Sequence, residues 1–198
     1  MGNSDKHLQD IAEIRQMMER SSRFISLSGW SGISAGVFAL IGVFVARLLI
    51  RSTDNQSLEI SLMADAFIVL FLALTSTLFF SFRKARRQGT KLWSPVTRRL
   101  LVNMAIPLLT GGVYSTILLI QDHNHLLAGI TLIFYGLALV NAGRFINKEA
   151  VILGIMEITL GIAATIWHAW GLWFWATGFG LLHIIYGITL HYKYNRQQ

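Results

Sequence analysis

The chain has 198 residues, 54% of them hydrophobic and 14% charged, whereas roughly a quarter of a soluble domain is charged. A net charge of +7 would suit a nucleic-acid binder, but the basic residues are segregated by position along the chain, which argues against nucleic acid as a partner. There is no cysteine, which removes disulfides, thiolate metal sites and cysteine nucleophiles together.

The first predicted element is an amphipathic helix over residues 5–23. Leu8, Ile11, Ile14, Met17 and Met18 recur at three- and four-residue spacing, with Asp10, Glu13, Gln16 and Arg20 elsewhere on the wheel. Residues 1–26 therefore form a cytoplasmic or interfacial segment suited to lying flat on the inner leaflet. Pairing with a second copy or with a cytosolic partner uses the same face. No continuous apolar run follows a basic start, so a cleavable signal peptide is not expected.

Six apolar stretches follow, at approximately 27–50, 60–82, 99–120, 125–146, 150–170 and 172–192. About 20 apolar residues at ~1.5 Å rise span the hydrocarbon core. Backbone polar groups in lipid must be satisfied within the segment, so each stretch is expected to be helical. The predicted fold is all-α, a polytopic membrane bundle of six transmembrane helices over residues 27–192 in three tandem hairpins. A short tail, 193–198, ends the chain.

Of the 17 basic residues, only Arg47 and Arg51 fall on the predicted outer side. Lys6, Arg15, Arg20 and Arg23 precede the first span, and Arg83, Lys84, Arg86, Arg87, Lys91, Arg98 and Arg99 fill the second connection. Arg144 and Lys148 lie at the fourth, with Lys193 and Arg196 at the end. This bias predicts cytoplasmic N- and C-termini. Arg83, Lys84, Arg86 and Arg87 form a basic run suited to anionic lipid headgroups, at about 1 kcal/mol per charge near the surface; it also serves as a topology determinant. Ser94 and Pro95 read as the cap and first residue of the third span. Trp167, Trp170, Trp173 and Trp175 cluster at the last outer turn, as interfacial belts do.

The spans match one another in part. Phe134-Tyr135-Gly136 answers Ile185-Tyr186-Gly187, with Gly129 and Gly180 seven residues earlier in each. Thr110, Gly112, Val113, Thr116 and Ile117 answer Thr159, Gly161, Ile162, Thr165 and Ile166. This tandem-hairpin glycine pattern resembles that of HdeD-like acid-resistance membrane proteins, and the resemblance would imply a stress-related role. The opening run from Ile14 to Gly29 resembles the start of a group of small, uncharacterised bacterial six-span membrane proteins. That second resemblance implies a bacterial inner membrane and no particular activity.

Glycines recur at seven-residue intervals: Gly129 and Gly136, Gly154 and Gly161, Gly171 and Gly178, Gly180 and Gly187. The first span adds Gly32 and Gly36 at the close-contact spacing. Such notches let helix backbones approach where no hydrophobic force drives them together, and whether they are used within one bundle or between copies stays open. Glu157 sits three residues after Gly154, and His183 three after Gly180, so both lie on glycine faces. Equal distance from a turn near residue 170 puts them at one depth, facing each other or a shared cavity. Such a pair is either a proton or cation site, or a hydrogen bond that pins two helices. A cavity reaching Glu157 would favour transport, and a sealed seam the structural role.

Asn103 and Asn141 repeat that symmetry about residue 122 and are expected to form an interhelical amide pair. Arg47 and Asp65 are expected to form an ion pair at the outer ends of the first two spans. His123 and His125 are too few to specify a metal site, and neither metal nor cofactor is expected. No nucleotide-binding glycine loop, zincin helix or nucleophile elbow is present, so no enzymatic activity is predicted. The leading expectation is an integral membrane protein acting through helix packing, self-association or membrane-protein partners. The alternative is a small proton-linked transporter or channel centred on Glu157 and His183, assisted by Asn103 and Asn141.

Overall fold

A computed structural model describes residues 28–52, 55–89 and 93–195. The amphipathic segment at 5–23, nearly all of the opening motif, Lys91 and Arg196 lie outside the described residues. Within them the chain is helical, with no strand.

Six helices are long and apolar enough to cross a membrane. They are α1 (Gly29–Ser52), α2 (Asn55–Arg87), α3 (Pro95–Ile120), α4 (Leu127–Gly143, preceded by a 3₁₀ turn Asn124–Leu126), α5 (Lys148–Ile166) and α6. The last is composite: a 3₁₀ turn His168–Trp170, an α segment Gly171–Trp175, a π-helical segment Ala176–Leu182 and an α segment His183–Asn195. The second helix extends beyond the expected 60–82 at both ends, and the fifth ends at Ile166 rather than residue 170. Polar residues that are poor span formers, such as Arg86 and Arg87, still continue a helix at its ends.

Two helix starts are built from local chemistry. Ser94 accepts from the Thr97 N–H at 3.1 Å, with Pro95 beginning α3. Asn147 Oδ1 accepts from the Ala150 N–H at 2.8 Å at the start of α5, and lies 3.5 Å from the Tyr186 hydroxyl. Asn147→Ala should therefore cost about 1 kcal/mol, read as a lower thermal midpoint in detergent micelles. An unchanged midpoint would mean that the cap adds nothing to α5.

Packing inverts the pattern of a soluble helix. The buried residues of α1 are Gly29, Ser31, Gly32, Gly36, Ala39, Gly42 and Ala46, all small, whereas Phe44 is 65% exposed. Small residues face protein and large apolar ones face outward, which is what close helix association in lipid requires. A Cβ built on Gly136 would lie 2.5 Å from the Gly154 carbonyl oxygen, and one on Gly161 would lie 2.8 Å from that of Gly129. A Cβ on Gly36 would lie 2.5 Å from the Gly180 carbonyl oxygen, and one on Gly32 3.0 Å from Gly187 Cα. The seams in which glycine meets backbone thus join α4 to α5 and α1 to α6, helices that belong to different hairpins of the sequence pattern.

The final helix carries two glycine series on two faces. Gly171 and Gly178 face Ala128 and Leu132 of α4, and Gly178 also faces Glu157 of α5. Gly180 and Gly187 face Leu40, Gly36, Gly29 and Ile33 of α1. Gly178 and Gly180 are two positions apart, which puts the two series on roughly opposite faces. α6 is therefore the element between α1 and the α4–α5 pair.

Side-chain contacts define the two ends of the bundle. At one, Glu59 accepts from Asn124 Nδ2 at 2.7 Å, and the His125 and His168 rings are 5.3 Å apart. At the other, Lys193 bonds Glu149, Trp30 meets His191, and Leu100, Ala142, Ile146 and Ala150 form a core cluster. The second end carries Arg98, Arg99, Arg144, Lys148 and Lys193, and is called the basic end below.

Candidate functional site

The glycine seams decide which side chains meet mid-bundle. Contact between Gly136 and Gly154 brings the α4 and α5 backbones together, with Tyr135 beside the first and Glu157 one turn beyond the second. On α6, Gly178 supplies the notch that receives the carboxyl: a Cβ there would lie 2.6 Å from Leu132 Cδ2 and 3.2 Å from Glu157 Cδ. His183 follows at the end of the π-helical segment. Such widened turns are rare and recur at functional sites.

Glu157 is 0% exposed and His183 6%. His183 Nδ1 lies 3.0 Å from the Gly178 carbonyl oxygen and 3.4 Å from Glu157 Oε1. His183 Nε2 lies 2.8 Å from the Tyr135 hydroxyl. A carbonyl only accepts, which assigns the proton to Nδ1 and leaves Nε2 to accept from the Tyr135 O–H. Neither oxygen of Glu157 has a hydrogen-bond partner among the described residues. A buried polar group left in that state costs about 1–3 kcal/mol.

The surroundings are apolar and aromatic. Phe179 packs 4.9 Å from the Tyr135 ring and 5.9 Å from the His183 imidazole, with Trp175 4.7 Å beyond it. Leu139, Leu153 and Leu182 cluster nearby with Tyr135, Leu160 and Tyr186 against them. A net charge in such a place is expensive, so the neutral count is the imidazole with its Nδ1 proton and one further proton on the Glu157 carboxyl. Glu157, His183 and Tyr135 stand in series across α5, α6 and α4, with 3.4 Å from Oε1 to Nδ1 and 2.8 Å from Nε2 to the hydroxyl. With no accessible surface at Glu157 the seam is sealed, which by the sequence expectation favours the structural role over transport.

The other expected pairs are not formed. Asn103 donates through Nδ2 to the Arg99 carbonyl of its own helix at 2.8 Å, and Asn141 is exposed. No hydrogen bond joins the two amides among the described residues, because Asn141 lies off the glycine face of α4. Arg47 does not pair with Asp65: its guanidinium lies 4.8 Å from the Trp173 ring centroid, where the indole face offers a cation–π contact. His123, His125 and His168 make ring contacts, but no group of three or more ligating side chains is placed to hold a metal ion among the described residues.

Two residues of the centre escape reasoning from charge alone, Tyr135 and Gly178. The signals for them are present: Tyr135 precedes a seam glycine, and Gly178 stands seven residues after Gly171. Comparison with protein-family models, curated proteins and solved structures finds no match to this chain.

Proposed function

We propose that this chain is an integral membrane protein of the bacterial inner membrane, with its basic end in the cytoplasm. We further propose that it works as a small proton-linked transporter or channel, held here in an occluded conformation. The proton is carried at Glu157, with His183 and Tyr135 as its relay. A single observation supports this reading: a fully buried carboxyl, neither of whose oxygens has a hydrogen bond among the described residues, set against an imidazole. A side chain kept only to pin helices would use its hydrogen-bonding capacity, and glutamine or serine would do so at lower cost in lipid.

The test is proton flux in liposomes containing the purified protein, under an imposed pH gradient. Glu157→Gln is expected to cut flux roughly 100-fold, the scale of losing a positioned acid–base group. Tyr135→Phe should give a partial loss. Equal flux in wild type and Glu157→Gln removes the residue from any proton path.

A second reading has its own support in the sealed surroundings of Glu157. In it the centre fastens α4, α5 and α6, and the protein acts through contacts with lipid, with a further copy or with another membrane protein. The basic run at Arg83, Lys84, Arg86 and Arg87 would then anchor α2 on anionic headgroups. Normal proton impermeability, with loss of a co-purifying partner in Glu157→Gln, is the result that selects it.

A further inference from the structure

At the end opposite the basic one, α1 and the start of α6 enclose a cleft of about 330 Å³. Arg47 and Arg51 line it together with Val43, Ile50, Leu172 and Trp173. We propose that this cleft binds a phosphate oxyanion, either the headgroup of a lipid in that leaflet or free phosphate.

Three observations carry the assignment. First, Arg47 and Arg51 stand one turn apart on the same face of α1, where like charges repel each other unless an anion lies between them. Second, neither makes an ion pair among the described residues, and Asp65, the acid expected to neutralise Arg47, does not do so. Third, the Arg47 guanidinium carbon lies over the Trp173 ring, 4.8 Å from its centroid, a contact that uses the face of the ring and none of the N–H donors that an anion would take. The walls contributed by Val43, Ile50 and Leu172 are apolar and match the glycerol and first methylenes that follow a lipid phosphate. These arginines are also the exceptions to the charge bias of the chain, so topology does not account for them.

The experiment uses the full-length protein in a neutral detergent and reads lipid binding by native mass spectrometry, with thermal shift alongside. Phosphatidylglycerol, phosphatidylcholine and inorganic phosphate are titrated against the wild type, R47Q/R51Q, and R98Q/R99Q as a control at the basic end. R47Q/R51Q should bind phosphatidylglycerol roughly 30-fold more weakly, about fivefold for each charge lost, while R98Q/R99Q leaves the tightest site intact. Protection by phosphatidylglycerol alone identifies a lipid headgroup, and protection by inorganic phosphate as well identifies a free oxyanion. R47Q/R51Q binding phosphatidylglycerol as the wild type does overturns the proposal, as does a wild type that binds phosphatidylcholine equally well. R47K/R51K keeps both charges and serves if the glutamine pair does not fold. A weaker preference for phosphatidylglycerol in R47K/R51K, which lacks the planar fork, with the wild-type preference kept in R98Q/R99Q, supports the site; an unchanged preference in R47K/R51K, or its loss in R98Q/R99Q, overturns it.

Discussion

Gly136→Val is expected to prevent the bundle from assembling, or to cost about 3 kcal/mol or more where it still does. The new Cβ would lie 2.5 Å from the Gly154 carbonyl oxygen and 2.9 Å from the Ile158 backbone nitrogen. Both neighbours are backbone, which cannot rotate away as a side-chain tip can, so α4 and α5 must separate along the seam. That separation moves Tyr135 and Glu157 apart, and the polar centre is lost with the packing. Gly112→Ala is the control, because a Cβ on Gly112 meets nothing within 4 Å. In α3 that change should gain up to about 1 kcal/mol from helix propensity alone. Monodispersity and thermal midpoint in detergent, measured for the two variants side by side, check the pair. A Gly136→Val protein as stable as Gly112→Ala would mean that the seam is not close-packed.

Glu157→Met separates a functional carboxyl from a structural one through the sign of the stability change. The oxygens of Glu157 gain no hydrogen bond and forfeit the water they would have in the unfolded chain. Replacing them with an apolar side chain of similar length removes that penalty, and a stabilisation of about 1–3 kcal/mol is expected. His183 keeps its bonds to Gly178 and Tyr135 in this variant, so no second group is orphaned. The proton flux proposed for the wild type should vanish in the same protein. Gain of stability with loss of activity is the mark of a residue retained at a structural cost. If Glu157→Met instead lowers the thermal midpoint, the carboxyl is a fastening, and the proton-linked reading loses its main support.

How far the molecule was legible in its sequence depended on which coordinate a residue pattern encodes. Apolar length predicted six helices, because a span must be about 20 residues long whatever it touches. Glycine spacing supplied the azimuth: Glu157 and His183 each stand a fixed three residues from a seam glycine, and the structure brings them to 3.4 Å. Asn103 and Asn141 were matched by depth alone, and depth says nothing about facing. Asn141 stands two residues before Gly143, about 200° away from the seam, and it is exposed. Arg47 failed for another reason. Its long side chain selects among partners within reach, and the indole of Trp173 receives it at 4.8 Å. Seven-residue glycine spacing also cannot name the helix on the other side of a notch. Seams joining α1 to α6 and α4 to α5 therefore became visible only in three dimensions.

The two glycine series of α6 leave it thin on both flanks, with Leu40, Ile33 and the Gly29 and Gly36 backbone against it on one side and the Glu157 carboxyl on the other. A partition of that kind has no slack on either face, because a Cβ at Gly178 or at Gly187 would already be too close to its neighbours. A displacement of α6 away from the carboxyl at Gly178 would have to be taken up on the far flank, at Gly36 and Gly29, because both flanks are in contact at once.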